Sequence, residues 1–127
     1  MTRFLFLAAL VLLADAMPSA TRMQAPAARV VEITAQRFEF WPSEIRLRQG
    51  ESVELRIRSD DTMHGFRIVG GGVNLLVPKR GKGVASATFT GAQPGRHTIE
   101  CSRLCGAGHN FMRATIVVEP VQQGGTR

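Results

Sequence analysis

The sequence predicts an all-β domain, folded as a β-sandwich or barrel, from three observations. Seven or eight short, strand-like runs follow one another at even spacing. Turn signals built on Gly, Pro and Asp separate them. No stretch carries a helical period, so any helix in the domain is short.

Taken in order, Arg29–Ala35 alternates weakly and is rich in β-branched residues, the composition of a strand. Phe38, Phe40 and Trp41 follow. Pro42 then ends the strand or marks a sheet edge, because proline has no amide hydrogen to give a ladder. Ile45–Arg48 is a short strand closed by the turn Gln49-Gly50. Ser52–Ser59 has the clearest alternation: Val53, Leu55 and Ile57 point one way, Glu54, Arg56 and Arg58 the other. That pattern places one face on a core and the other in water. Asp60-Asp61-Thr62 turns the chain towards His64, and Phe66, Ile68 and Val69 continue as a strand until Gly70-Gly71-Gly72 breaks it. Val73–Val77 is a further apolar run, Pro78–Gly83 a basic loop, and Val84–Thr90 a β-rich stretch. A turn at Ala92–Gly95, centred on Pro94-Gly95, leads into Arg96–Glu100, and Arg113–Val118 closes the domain.

The 127 residues suffice for one domain. The start has the form of a signal peptide: Arg3, the unbroken apolar run Phe4–Ala14, and the small-x-small triplet Ala14-Asp15-Ala16. The run is shorter than the roughly 20 residues of a spanning helix, although an uncleaved membrane anchor facing the periplasm is the rival reading. The expected organisation is a leader at Met1–Ala16, a flexible Ala/Pro-rich linker at Met17–Ala28, a folded domain from Arg29 to Pro120, and a loose tail at Val121–Arg127. The formal charge is +6, and losing Arg3 and Asp15 with the leader leaves it unchanged. A basic chain invites nucleic acid. Here the cations are spread along strands, Tyr is absent, and an exported protein seldom meets nucleic acid. An acidic protein partner or an anionic membrane surface fits better.

Between the last two strands lies Cys101-Ser-Arg-Leu-Cys105-Gly-Ala-Gly-His109-Asn-Phe-Met112. It holds both cysteines, one of the three histidines and a methionine. Thiolate, imidazole and thioether are ligands that select copper or zinc over hard cations. Plainer readings exist. Cysteines four apart can form a disulfide, which export permits. A helix would stack Cys101, Cys105 and His109 on one face as a packing stripe. Neither accounts for Met112, nor for four soft groups in one loop, so the loop reads as a metal site.

Two segments together resemble the CuA-type domain in subunit II of haem–copper respiratory oxidases, the cytochrome c oxidase subunit II family. They are Asp61-Thr-Met-His64-Gly-Phe and the whole of Cys101–Met112, with Phe40-Trp41-Pro42 and Thr115-Ile-Val-Val118 in support. The resemblance runs from about Phe38 to Val118. It implies a cupredoxin-like Greek-key β-sandwich or barrel and a binuclear copper centre that passes electrons. By the same resemblance, Cys101 and Cys105 would bridge two coppers, and His64 and His109 would each bind one. Met112 would add a weak thioether bond and Arg103 its backbone carbonyl. Many relatives carry Glu where Arg103 stands; an Arg there puts a cation beside the metals and favours the reduced state. Oxidase subunits II carry membrane helices ahead of this domain, whereas here a signal-like run precedes it. The expectation is therefore a free-standing exported carrier serving a c-type cytochrome or an oxidase.

Other classes use the same residues. A copper storage or delivery protein for an oxidase would need an exchangeable metal. A structural zinc domain would take His64, Cys101, Cys105 and His109 as a tetrahedral set, against which Met112 argues. A mononuclear blue-copper site leaves Cys105 unexplained. No Ser–His–acid signal marks a hydrolase, and an electron-transfer module has no self-contained active site. Of the remaining candidates, His97 is expected as a packed structural histidine, Trp41 as a core or rim aromatic rather than an electron entry point at the surface, and Met63 as core filler.

Overall fold

The computed structural model describes residues 27–122 and residue 124. The expected leader, most of the linker and part of the tail lie outside the described residues. Nine strands and one 3-10 turn make up the domain: β1 (Arg29–Gln36), β2 (Glu39–Trp41), β3 (Glu44–Arg48), β4 (Ser52–Ser59), β5 (His64–Ile68), β6 (Val73–Val77), β7 (Ala85–Thr90), β8 (Gly95–Glu100), the turn His109–Phe111, and β9 (Arg113–Glu119). The all-β expectation holds. Sequence reading expects seven or eight strands; the three-residue β2 forms because its backbone pairs with β1 from Thr34↔Trp41 to Gln36↔Glu39. It lies at a sheet edge, where Pro42 does no harm to a ladder.

The strands form two sheets, ordered β2-β1-β4-β7 and β3-β9-β8-β5-β6. Their inner faces meet in one core. Ile33, Val53, Leu55, Ile57 and Phe89 come from the first sheet, and Leu47, Phe66, Ile68, Ile99 and Ile116 from the second. β4 buries Val53, Leu55 and Ile57 and turns its charged residues outward, as its alternation dictates. Phe40 and Phe66 join the sheets edge to face, with ring centroids 5.5 Å apart.

Strand directions bring four connections to one end. β1 and β4 run parallel and finish together at Ala35↔Ser59, so the β1–β2 turn and the β4–β5 loop are neighbours. β5 starts at His64 and runs antiparallel to β8, whose last residue Glu100 faces Arg67. The β8–β9 loop therefore opens beside the start of β5. Gly65 makes the fit possible: a Cβ there would lie 2.2 Å from Ser102 Oγ and 2.6 Å from Arg103 N. The β6–β7 loop joins the same end, because Val77 pairs with His64.

Two sequence expectations need correction. Trp41 is 71% exposed, neither core nor rim, because Phe40 takes the inward position on β2 and alternation turns its neighbour out. Met63 is half-buried and outside the core; it precedes β5, whose first residue, His64, takes the buried place. His97 is packed as expected, its ring edge-on to Phe89 and its Nε2 2.8 Å from the carbonyl of Gln93.

Candidate metal centre

Cys101 and Cys105 are buried and free. Their sulfurs lie 3.7 Å apart, well beyond a disulfide bond of about 2.05 Å. No helix stacks them. Cys101 continues the line of β8, and its amide donates to Met112 O at 3.1 Å, closing the base of the loop. From there the chain passes through Gly106 and the 3-10 turn, whose amides at His109, Phe111 and Met112 donate to Gly106, Gly108 and His109 carbonyls.

The other candidates gather about the sulfur pair. Ligand atoms of His64, Cys101 and Cys105 all lie within 4.8 Å of one another. His109 stands outside that mutual set, with its Nδ1 3.8 Å from Cys105 Sγ. Met112 is fully buried, its sulfur 3.9 Å from Cys105 Sγ. The carbonyl oxygen of Arg103 is 3.1 Å from Cys101 Sγ, while the Arg103 side chain is exposed. Two thiols, two imidazoles, a thioether and a carbonyl thus share one small volume.

The chemistry of these donors fits a soft or borderline metal ion. His64 is 0% exposed, and its Nδ1 is a buried nitrogen without a hydrogen-bond partner. Leaving such a group unmet costs about 1–3 kcal/mol. Its Nε2 lies 2.7 Å from Asp61 Oδ1, an acceptor, so the ring proton sits on Nε2 and Nδ1 keeps its lone pair for a ligand bond. Burial, and then the neighbouring Cys101 thiol, push the Cys105 thiol up to about 11. Two adjacent thiolates in an apolar site need a cation to coexist, which a bound metal supplies.

Asp61 is the residue that sequence reading missed. Burial raises its carboxyl, but the amides of Arg37 and Thr62 and the His64 ring outweigh that and hold it below the ordinary carboxylate range. Arg37 N donates to Oδ2 at 2.8 Å, and Thr62 N to Oδ1 at 2.6 Å. A signal was present in the sequence: an Asp three residues ahead of a His within a turn.

The surface around the loop has a marked character. Leu104 and Phe111, both on the ligand loop, are 79% and 83% exposed. Arg103 and Arg113 flank them, exposed. Most arginines elsewhere are paired: Arg29 with Glu51, Arg46 with Glu44 and Glu119, Arg56 with Glu54, Arg58 with Asp60, Arg67 with Glu100, and Arg96 with Glu44. Among the described residues, Arg37, Arg48, Arg103, Arg113 and the β6–β7 cations Lys79, Arg80 and Lys82 form no ion pair. All but Arg48 belong to the Cys101–Met112 loop, its edge, or loops at the same end; Arg80 N donates to Asp61 O at 3.1 Å. No helix among the described residues is long and apolar enough to cross a membrane.

Comparison with known proteins agrees with this picture. Residues 27–121 match the family described as cytochrome c oxidase subunit II, periplasmic domain. Cytochrome c oxidase subunit 2 of Thermus thermophilus is 34% identical over 90 residues, covering 70% of this chain. The aligned region spans 64% of that protein, and 52% of a second Thermus thermophilus subunit 2 that is also 34% identical. The periplasmic domain of subunit II of cytochrome oxidase from Bradyrhizobium japonicum superposes with a TM-score of 0.67 at 18% identity, over 79% of this chain and 91% of that one. Auracyanin A, a blue copper protein from Chloroflexus aurantiacus, superposes with a TM-score of 0.59 at 15% identity, over 73% of this chain and 100% of its own. At those identities the two structures speak for the fold alone, which is the cupredoxin fold.

Proposed function

The chain belongs to the family of cytochrome c oxidase subunit II periplasmic domains, and we propose that it is an electron-transfer protein holding two copper ions in a CuA centre. Cys101 and Cys105 would bridge the pair. His64 and His109 would each bind one copper, with Met112 and the carbonyl of Arg103 as weaker ligands. Copper held there would supply reversible one-electron chemistry. The chain's own part is to hold its donors still, which rigid strands on both sides of the loop favour. The observation that carries this reading is the convergence of His64, Cys101 and Cys105 within 4.8 Å, with the lone pair of a buried His64 nitrogen otherwise unmet. A structural zinc site would use the same four thiol and imidazole donors. It gives no role to the Met112 sulfur buried 3.9 Å from Cys105.

The site of action is the periplasm, reached through the leader expected at Met1–Ala16, with the folded domain running from Arg29 to Pro120. The partner is a redox protein, such as a c-type cytochrome or an oxidase, with an acidic docking face. Leu104 and Phe111 supply an apolar centre on the Cys101–Met112 loop, flanked by unpaired Arg103 and Arg113, and unpaired Lys79, Arg80 and Lys82 add positive charge at the same end of the domain. Such a field speeds encounter with an acidic surface. The test is stopped-flow oxidation of the reduced, copper-loaded protein by an acidic and by a basic c-type cytochrome. The acidic one should react faster, and its rate should fall steeply as salt shortens the screening length to about 10 Å at 0.1 M. A rate with either cytochrome that ignores salt would contradict the docking face. Absence of any reversible one-electron redox step would contradict the function.

A further inference from the structure

We propose that Arg37, at the tip of the β1–β2 turn, is a positioning residue that braces both ligand-bearing segments of the metal centre against each other. The proposal rests on the copper reading for its purpose, but its geometry stands independently. The two segments come from separate parts of the sheet: His64 from the start of β5, and Cys105 from the loop between β8 and β9. Arg37 touches both. Its side-chain Nε donates to Cys105 O at 2.8 Å, across 68 residues of sequence. Its backbone amide donates to Asp61 Oδ2 at 2.8 Å, and the other oxygen of that carboxylate holds His64 Nε2 at 2.7 Å. One residue therefore fixes the backbone of a thiol ligand directly and the ring of an imidazole ligand through a single carboxylate.

The neighbouring residue completes the brace. The Phe38 ring lies against the ligand loop where that loop has no side chains. A Cβ at Gly108 would lie 2.3 Å from Phe38 Cδ2, and one at Gly106 2.9 Å from its Cε1. Gly106 also takes φ +147°, a conformation that glycine alone adopts freely. The loop can thus settle onto Phe38 only because it carries glycine at those two places, while Arg37 holds the carbonyl immediately before them.

Arg37 is exposed, so one hydrogen bond to a carbonyl adds little to global stability. Its effect is local. It removes freedom from a glycine-containing loop whose internal backbone bonds are the closure from Cys101 N to Met112 O at its base and those of the 3-10 turn. A guanidinium suits the task better than an ammonium, because the planar fork directs its Nε–H at a fixed angle while a lysine head rotates. Lysine at 37 would keep the charge and the backbone amide bond but lose the directed bond to Cys105 O.

The test compares wild type with Arg37→Ala and Arg37→Lys by two readouts. The first is amide hydrogen exchange of the reduced, metal-free full chain. The amides of His109, Phe111 and Met112 should exchange about tenfold faster in both variants, while amides of β4 keep their wild-type protection. Unchanged exchange in the loop would overturn the brace, whatever metal the protein binds. The second readout is the optical and EPR spectrum of copper-loaded protein, with the rate of copper loss to a chelator. Both variants should show shifted bands and release about tenfold faster or more, the cost typical of removing an outer partner of a ligand. A Lys variant with wild-type exchange and spectrum would also overturn it, since charge alone would then suffice. If wild type takes up no copper yet loop exchange still rises in the variants, the brace stands and the copper function falls. Should Arg37→Ala fail to fold, Arg37→Lys carries both readouts alone.

Discussion

His64 and His109 bring the same side chain to the cysteine sulfurs from two unlike places, His64 within reach of both and His109 beside Cys105. His64 opens a strand, is 0% exposed, and has its Nε2 held by Asp61. Its rotamer and tautomer are settled before any metal arrives. His109 opens a three-residue 3-10 turn in a loop, is half-buried, and sits two residues from the exposed Phe111. One is a buried strand residue that doubles as a candidate ligand. The other is a half-buried candidate ligand carried on a loop that the rest of the protein must steady. The contrast teaches that a metal site can draw its rigidity from one side and its access to a partner from the other.

The sharpest way to break that comparison is to remove each ring in turn. His64→Ala should weaken copper binding and also destabilise the metal-free protein by about 1–3 kcal/mol, because a buried ring is lost and Asp61 loses its partner. His109→Ala should weaken copper binding equally, yet leave metal-free stability within about 0.5 kcal/mol of wild type. Urea unfolding of the reduced, metal-free variants checks both. Equal stability losses would erase the distinction.

Asp61→Asn is a subtler cut at the His64 side. The amide keeps the shape but removes the charge that holds the Nε2 proton, and its nitrogen competes as a donor. Copper affinity should fall about 10–100-fold, the usual cost of losing an outer carboxylate. Titration against a chelator of known affinity reads this, and wild-type affinity would show that His64 needs no orienting partner.

Smaller still is the effect expected at Arg103, on the exposed side. Its carbonyl lies 3.1 Å from Cys101 Sγ while its side chain is exposed. Arg103→Glu should keep copper bound and lower the reduction potential, because an anion replaces a cation that favours the reduced state. Voltammetry checks the direction. Loss of copper would mean that the side chain shapes the loop.

The same two regions mark what the sequence made legible. The alternation of Ser52–Ser59 and the twelve-residue ligand loop were readable, since both depend on spacing along the chain. Contacts between distant segments were not. Nothing local says that Arg37 reaches Cys105, 68 residues away, or that Phe38 lies under Gly106 and Gly108. Trp41 misled for a related reason: three aromatics crowd into Phe38–Trp41, and which one faces inward depends on how β2 registers against β1. Asp61 lay between these cases, close enough in sequence to His64 to be suspected but confirmed by geometry alone.

The central claim is that both sulfurs serve two metal ions together, and copper counting tests it most directly. Reduced protein is loaded with excess copper, desalted, and assayed for copper per chain alongside its EPR spectrum, for wild type and for Cys105→Ser. The prediction is about two coppers per chain with a delocalised two-copper signal in wild type, and about one in the variant with a mononuclear spectrum. One copper per chain in wild type, unchanged in Cys105→Ser, would contradict it.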